Sequence, residues 1–248
     1  MATRGPGDTR RLFGRRRRAA RMHTAVRVLI AVVVLAVVLG GAWVVTFSSL
    51  LAADDVKVTG TDQLTTAEVK AAADVPLGRP LARIDLDAIE ERVRTLPLVE
   101  SVEASRSWPG TVQLRVTERT AVAWIEIDGE IRGVDRFGSD FRSFPEPPQL
   151  TEIRVDTNDP RDRQQSFEGL GAVVATLRSS APDLLGAIEY GEAETQDSLT
   201  FHLTDGRSIR WGSAEDSKRK IEVISALLGS VEASEYDVSA PEQPTTRE

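Results

Sequence analysis

Residues 85–118 read DLDAIEERVRTLPLVESVEASRSWPGTVQLRVTE, and this stretch decides the fold of the first module. Leu86, Ile89, Val93 and Leu96 fall at i, i+3, i+7 and i+10, one apolar stripe of a helix that Asp85 can cap and Pro97 ends. A strand is expected around Val99–Arg106, then a turn at Trp108-Pro109-Gly110. Beyond it Val112, Leu114 and Val116 alternate with Gln113, Arg115 and Thr117, which gives a strand with one apolar face. Upstream, VKVTG at 56–60 is a short strand stopped by Gly60. Thr65-Thr66-Ala67-Glu68 is a capping box: the threonine hydroxyl accepts from the Glu68 N–H while the glutamate reaches back. That helix should run to about Ala73, because Pro76, Gly78 and Pro80 cannot continue it. The order is β-α-α-β-β. Striped helices and one-faced strands imply two layers, helices on a three-stranded sheet.

Working outward toward the N-terminus, VLIAVVVLAVVLGGAWVVTFSSLL at 28–51 is 24 residues without a charged side chain. At 1.5 Å per residue such a helix is about 36 Å long, enough to cross a hydrocarbon core of roughly 30 Å. Its length exceeds the apolar core of about 7–15 residues usual in a cleaved signal peptide, so an uncleaved anchor is expected. Residues 1–27 carry nine arginines and one acid, +8, against −7 for the whole chain. Arginines beside a span, Arg15, Arg16, Arg17 and Arg18 above all, hold that end in the cytoplasm while the acidic remainder is exported. The expected topology is single-pass type II in the cell membrane, with a basic cytoplasmic tail at 1–27. Within the span, Ala36 and Gly40 form a small-xxx-small pair, a weak packing signal.

Working outward toward the C-terminus, the texture changes after Glu118-Arg119. AVAWIEI, Asp128-Gly129 and EIRGV make a β-hairpin. A second turn lies at Asp135–Gly138, PEPPQL is an extended linker, TEIRV is a strand and Asp156–Gln165 is loop. Phe167, Leu170, Val174 and Leu177 stripe a helix; Leu199, Phe201 and Leu203 mark a strand that turns at Asp205-Gly206 into SIRWG. Ser213 can cap a last helix burying Ile221, Ile224, Leu227 and Leu228, and Tyr236–Ala240 (YDVSA) is a short final strand. The fold class expected is α+β. A transmembrane helix at 28–51 leads to a small β-α-α-β-β module at 54–119, a mixed α/β domain with antiparallel sheet at 120–240, and a flexible tail at 241–248.

The composition narrows the chemistry. Cysteine is absent, so disulfides, thiolate nucleophiles and Cys-ligated metals are excluded. The acidic exterior argues against nucleic acid. Of two histidines, His23 lies in the basic tail and His202 on the outward phase of a strand, without a cysteine or GxSxG-type serine beside it. Asp85 and Asp87 sit at a helix start, where caps and dipole partners belong rather than a metal pair. Glu90, Glu91, Arg92 and Arg94 read as a solvated helix face, Trp108 as a packing residue, and Glu118-Arg119 as a pair fixing the junction of two domains. No catalytic, cofactor or metal residues are assigned, and no cofactor is expected. What remains is open sheet edges, which an extended partner can lengthen by backbone hydrogen bonds.

VKVTGTDQLTTAEV, the run LARIDLDAIEERVRTLPLVESVEASRSWPGTVQLRVTERTAVAW, GVDRFGSDF, the set Asp205-Gly206, Gly212 and Lys218, and YDVSAP together resemble the FtsQ/DivIB family of bacterial cell-division proteins. Thr120 stands where that family usually has proline. The resemblance implies a POTRA module and a divisome scaffold located at the septum. Its implied partners are single-span division proteins of the FtsB/DivIC and FtsL type and septal peptidoglycan synthesis enzymes. It also implies a partner-binding edge at Tyr236, Asp237, Val238, Ser239 and Ala240; the following Pro241 is how an edge strand ends. Two other classes compete. A POTRA-bearing assembly or secretion factor is disfavoured by the single module and the absence of barrel-type strands. An anchored exported hydrolase lacks an evident nucleophile and base.

Overall fold

A computed structural model describes residues 26–41, 43, 51–157 and 159–248. Residues 26–41 and 43 are helical (α1), and the side chains of 26–41 are exposed along the whole length. Among the described residues no helix is long and apolar enough to cross a membrane. The expected span is therefore covered only in part: residues 42 and 44–50 of the 28–51 run, and Arg15–Arg18 of the tail, lie outside the described residues.

The chain forms two compact units. The first takes in residues up to Thr59 with Thr66–Arg92 and Glu103–Arg115; the second takes Gly60–Thr65, Val93–Val102 and Val116–Glu248.

The elements of the β-α-α-β-β stretch are β1 (Asp55–Thr59), α2 (Thr66–Ala73), α3 (Leu86–Arg94), β2 (Val99–Ser107) and β3 (Thr111–Glu118). The sheet order is β1-β3-β2, with β1 parallel to β3 from Asp55↔Thr111 to Thr59↔Arg115. Asp85 caps α3 as expected, its carboxylate accepting from Ala88 N–H at 3.2 Å. Ile89, Val93, Val112 and Leu114 have no exposed surface, so both stripes face inward. The solvated helix face holds for Glu91 and Arg94, which are exposed, and is corrected at Glu90 and Arg92. Glu90 accepts the Ala104 N–H of β2 at 2.8 Å, and Arg92 donates from Nε and Nη2 to the last-turn carbonyl of Ala73 in α2 at 3.0 and 2.7 Å. Both residues therefore tie helices to neighbours. Trp108 is also corrected: it is 50% exposed at the hairpin tip rather than packed.

The second unit is built on β4 (Ala123–Ile127), β5 (Glu130–Val134), β6 (Asp140–Phe144), β7 (Thr151–Val155), α4 (Pro160–Ser180), α5 (Pro182–Ala187), β8 (Ile188–Ala193), β9 (Leu199–Leu203), β10 (Ser208–Gly212), α6 (Ser217–Ser230), β11 (Glu235–Asp237) and β12 (Thr245–Arg247). Its nine strands run β12-β11-β10-β9-β8-β7-β4-β5-β6. The sheet is mixed rather than antiparallel throughout, since β4·β7, β7·β8 and β10·β11 are parallel pairs. The core gathers Phe167, Leu170, Val174 and Leu177 of α4 and Ile224 of α6 against Leu199, Phe201, Ile209, Trp211 and Tyr236 of the sheet. Trp211 meets Phe201 edge-on at 5.7 Å, a geometry favoured by the ring quadrupoles. Three departures from the sequence reading stand out. Helix α4 begins at Pro160, inside the run expected as loop, because Asp159 accepts from the Arg161 and Asp162 N–H groups and proline suits the first turn. Strands β6 and β8 were not expected. The tail after Pro241, expected to be flexible, carries β12.

Candidate functional site

The C-terminal end of the large sheet gathers the residues expected to bind a partner. Strand β11 pairs in parallel with β10, Ile209 opposite Tyr236, and antiparallel with β12, Tyr236 opposite Thr246. Tyr236–Ala240 therefore does not form the outer edge; that position belongs to β12. The correction has a plain cause. Tyr236 and Val238 have no exposed surface, and Val238 N–H donates to Arg210 O at 2.9 Å, so these two residues belong to the core, while Ser239 and Ala240 are exposed beyond the strand. The Tyr236 hydroxyl donates to Val231 O at 2.7 Å and accepts from Arg207 Nη1 at 3.2 Å. Hydrogen bonds to Asp205 and Tyr236 raise the Arg207 pKa further and, from the other side, Arg207 holds the Asp205 carboxylate below its usual range. Asp237 accepts from the Ser239 N–H and hydroxyl at 2.9 and 2.6 Å, which turns the chain after the strand.

Strand β12 is three residues long and wholly exposed. It is held by Ser234 N–H to Arg247 O at 2.9 Å and by an ion pair of Arg247 with Glu235 at 3.1 Å. Ser208 N–H bonds Ser234 O, and Val238 N–H bonds Arg210 O; these bonds bracket Tyr236, whose backbone groups face β10, and leave those of Glu235 and Asp237 to face β12. By the alternation of an antiparallel ladder, the backbone groups of Thr245 and Arg247 point back to β11, and Thr246 turns its N–H and C=O outward. No strand lies beyond it among the described residues.

Lys218, matched to the family pattern, is exposed, whereas Lys220 is buried and donates to Ser213 O at 2.9 Å. Burial lowers its pKa, which Asp216, Glu215 and Asp237 partly counteract. The sequence signal for it was present: Lys220 shares the stripe of Ser217, Ile221 and Ile224.

Glu118 and Arg119 anchor the start of the second unit. The Glu118 carboxylate accepts from the N–H groups of Asp62, Gln63 and Leu64 at 2.9, 2.9 and 2.8 Å. Burial works to raise its pKa, but those backbone donors outweigh it and hold the group below the ordinary value. Arg119 pairs with Asp135, which has no exposed surface and also accepts from Phe137 and Ser139 N–H at 2.9 Å each. These are structural bonds. On the sheet face away from α4, Arg154 lies 3.8 Å over the Tyr190 ring, His202 stacks on Tyr190 at 4.4 Å, and His202 Nε2 meets Glu192 at 2.8 Å. Sequence periodicity placed His202 on this face but could not show its stacking partners. Among the described residues no group of three or more His, Asp or Glu side chains could hold a metal.

A β-α-α-β-β module with its third strand in the middle, joined to a mixed sheet with an open C-terminal edge, defines a POTRA-bearing protein. Residues 51–119 match the family described as POTRA domain, FtsQ-type. The chain is 37% identical to the cell division protein FtsQ of Streptomyces venezuelae over 99% of its own length and 92% of the relative's. It is 32% identical to that of Streptomyces coelicolor, covering 94% and 90%, and 32% identical to that of Mycolicibacterium smegmatis, covering 86% and 62%. The chain belongs to the FtsQ family of cell-division proteins.

Proposed function

We propose that this chain is a membrane-tethered, non-catalytic scaffold that joins division proteins outside the cytoplasmic membrane. The observation that carries this reading is the open outer edge of β12, with the Thr246 backbone groups turned to solvent. An extended segment of another single-span division protein, of the FtsB/DivIC or FtsL type, would add there as the next strand and bring septal peptidoglycan synthesis enzymes with it. Two features support the tether. Helix α1 exposes Val28, Leu29, Ile30, Val32 and Val33 by more than half each, an apolar surface without a core to join. The arginine-rich tail supplies the charge asymmetry that keeps residues 1–27 cytoplasmic. Sharing one membrane raises the effective concentration of partners, so a three-residue edge suffices for weak pairing.

The test is Thr246→Pro in the full chain. Proline removes an outward N–H without touching the ladder to β11, and proline is tolerated at such edge positions. Crosslinking and capture from the membrane fraction should lose the division partners, while Thr246→Ala retains them and both variants melt like the parent. Undiminished recruitment of every partner by a normally folded Thr246→Pro protein sinks the β12 assignment.

A further inference from the structure

We infer that the first unit makes a second contact with the bilayer, through the turn at 76–79 and the β2–β3 hairpin tip at 108–110. Leu77 and Trp108 would enter the headgroup layer on the non-cytoplasmic side. The inference rests on the reading of residues 28–51 as the membrane span. Leu77 is 60% exposed and Trp108 50% exposed; outside α1, Phe137 and Val231 are the other exposed large apolar side chains among the described residues, and neither belongs to the first unit. Their loops are pinned to one short piece of chain, the residues that follow Leu51. Gly78 N–H donates to Ala53 O at 2.8 Å, and Ala53 N–H donates to Arg79 O at 2.9 Å. On the other side Asp54 N–H donates to Gly110 O at 2.8 Å. Gly110 is needed there, since a Cβ would lie 2.7 Å from Ala52 O.

The turn itself presents the leucine. Arg79 N–H bonds Pro76 O at 3.4 Å and Gly78 has φ +82°, the third position of a type II turn, so Leu77 occupies the apex. Ala53 is two residues beyond Leu51, at most about 7 Å of extended chain. Each headgroup layer is roughly 5–8 Å thick, half the difference between the full bilayer and its hydrocarbon core. Both loops are thus tied to chain that lies at headgroup depth. Tryptophan is favoured at that depth because its ring is apolar and its N–H can bond water or phosphate. Arg79, exposed beside Leu77 in the same turn, supplies a cation for lipid phosphate. A tether plus two loop contacts would stop the module from swinging freely about residue 52.

The chain has no cysteine, so single cysteine variants of the full chain in lipid vesicles can each carry one environment-sensitive fluorophore. Labels go at Leu77→Cys, Trp108→Cys, Val34→Cys within the span, and Arg115→Cys. Arg115 is exposed and lies four residues along β3 from Thr111, roughly 13 Å from the hairpin end. Quenchers carried on lipid tails near the headgroup should reduce emission several-fold more at 77, 108 and 34 than at 115, and aqueous iodide should show the reverse order. Lipid quenching at 34 with neither or only one of 77 and 108 affected overturns the two-loop contact and leaves the span standing. Absence of lipid quenching at 34 overturns the span, and this inference with it.

Discussion

Glu118→Gln is the perturbation whose effect can be worked most fully from the structure. The glutamate takes three backbone N–H groups of the loop at 62–64, two of them on exposed residues and that of Leu64 partly buried. A hydrogen bond to a charged acceptor is worth about 1.5–3 kcal/mol net and a neutral one about 0.5–1.5, and exposure pushes both toward the low end. Glutamine keeps one oxygen for Asp62 and Leu64 but turns an NH2 donor toward the Gln63 N–H. The expected loss is about 1–3 kcal/mol at neutral pH, or roughly 2–4 °C of melting temperature per kcal/mol for a unit this size. The pH dependence follows from the lowered pKa. A carboxylate with a depressed folded-state pKa stabilises fully above its unfolded value, near 4.3, and the contribution is lost as pH falls through the folded value. Denaturant melts of the full chain in detergent, followed by tryptophan fluorescence, should show a gap between parent and variant that is constant from pH 7 to 5. It should shrink below about pH 4. No gap at pH 7, or a gap that persists unchanged into acid, refutes the view that charge-assisted capping by Glu118 holds this loop.

Asp135→Ala should cost more, about 3–5 kcal/mol, because it strands the Arg119 guanidinium, itself only 22% exposed, and two backbone donors. A double variant with Arg119→Met should recover part of that loss in the same melts, and a strictly additive double variant would contradict the pairing. In the first unit, Ile89→Ala should cost about 2–5 kcal/mol because the site is fully buried. Glu90→Ala should cost about 1 kcal/mol through the lost Ala104 bond, rather than nothing, as a solvated residue would.

Local patterns in the chain determined the first module and the nature of the second. The stripe of Ile89 and Val93, the cap at Asp85, the breakers Pro76, Gly78 and Pro80, and the alternation of Val112, Leu114 and Val116 are each set by neighbours within about ten residues. Their order and spacing also carried the family resemblance. Only the tertiary structure decided the edge. β11 was legible as a strand from YDV, but whether it lies at the rim depends on Thr245–Arg247 folding back across Pro241, and TTR has no apolar side chain to reveal pairing made by backbone groups alone. β8 was hidden for a related reason: Gly191 supplies no side chain, and Glu189 and Glu192 face away from the core, so the alternation reads as polar loop. Polar residues with distant partners were the least legible. Glu90, Arg92 and Asp135 look like surface charges in one dimension, and Glu118 reads as a junction residue whose partners the sequence does not show; the acceptor or donor each one meets comes from a segment 14 to 56 residues away or from a turn that only the fold closes. Sequence periodicity shows which side of an element is apolar; what a polar group on the other side bonds to is fixed by how the elements are brought together.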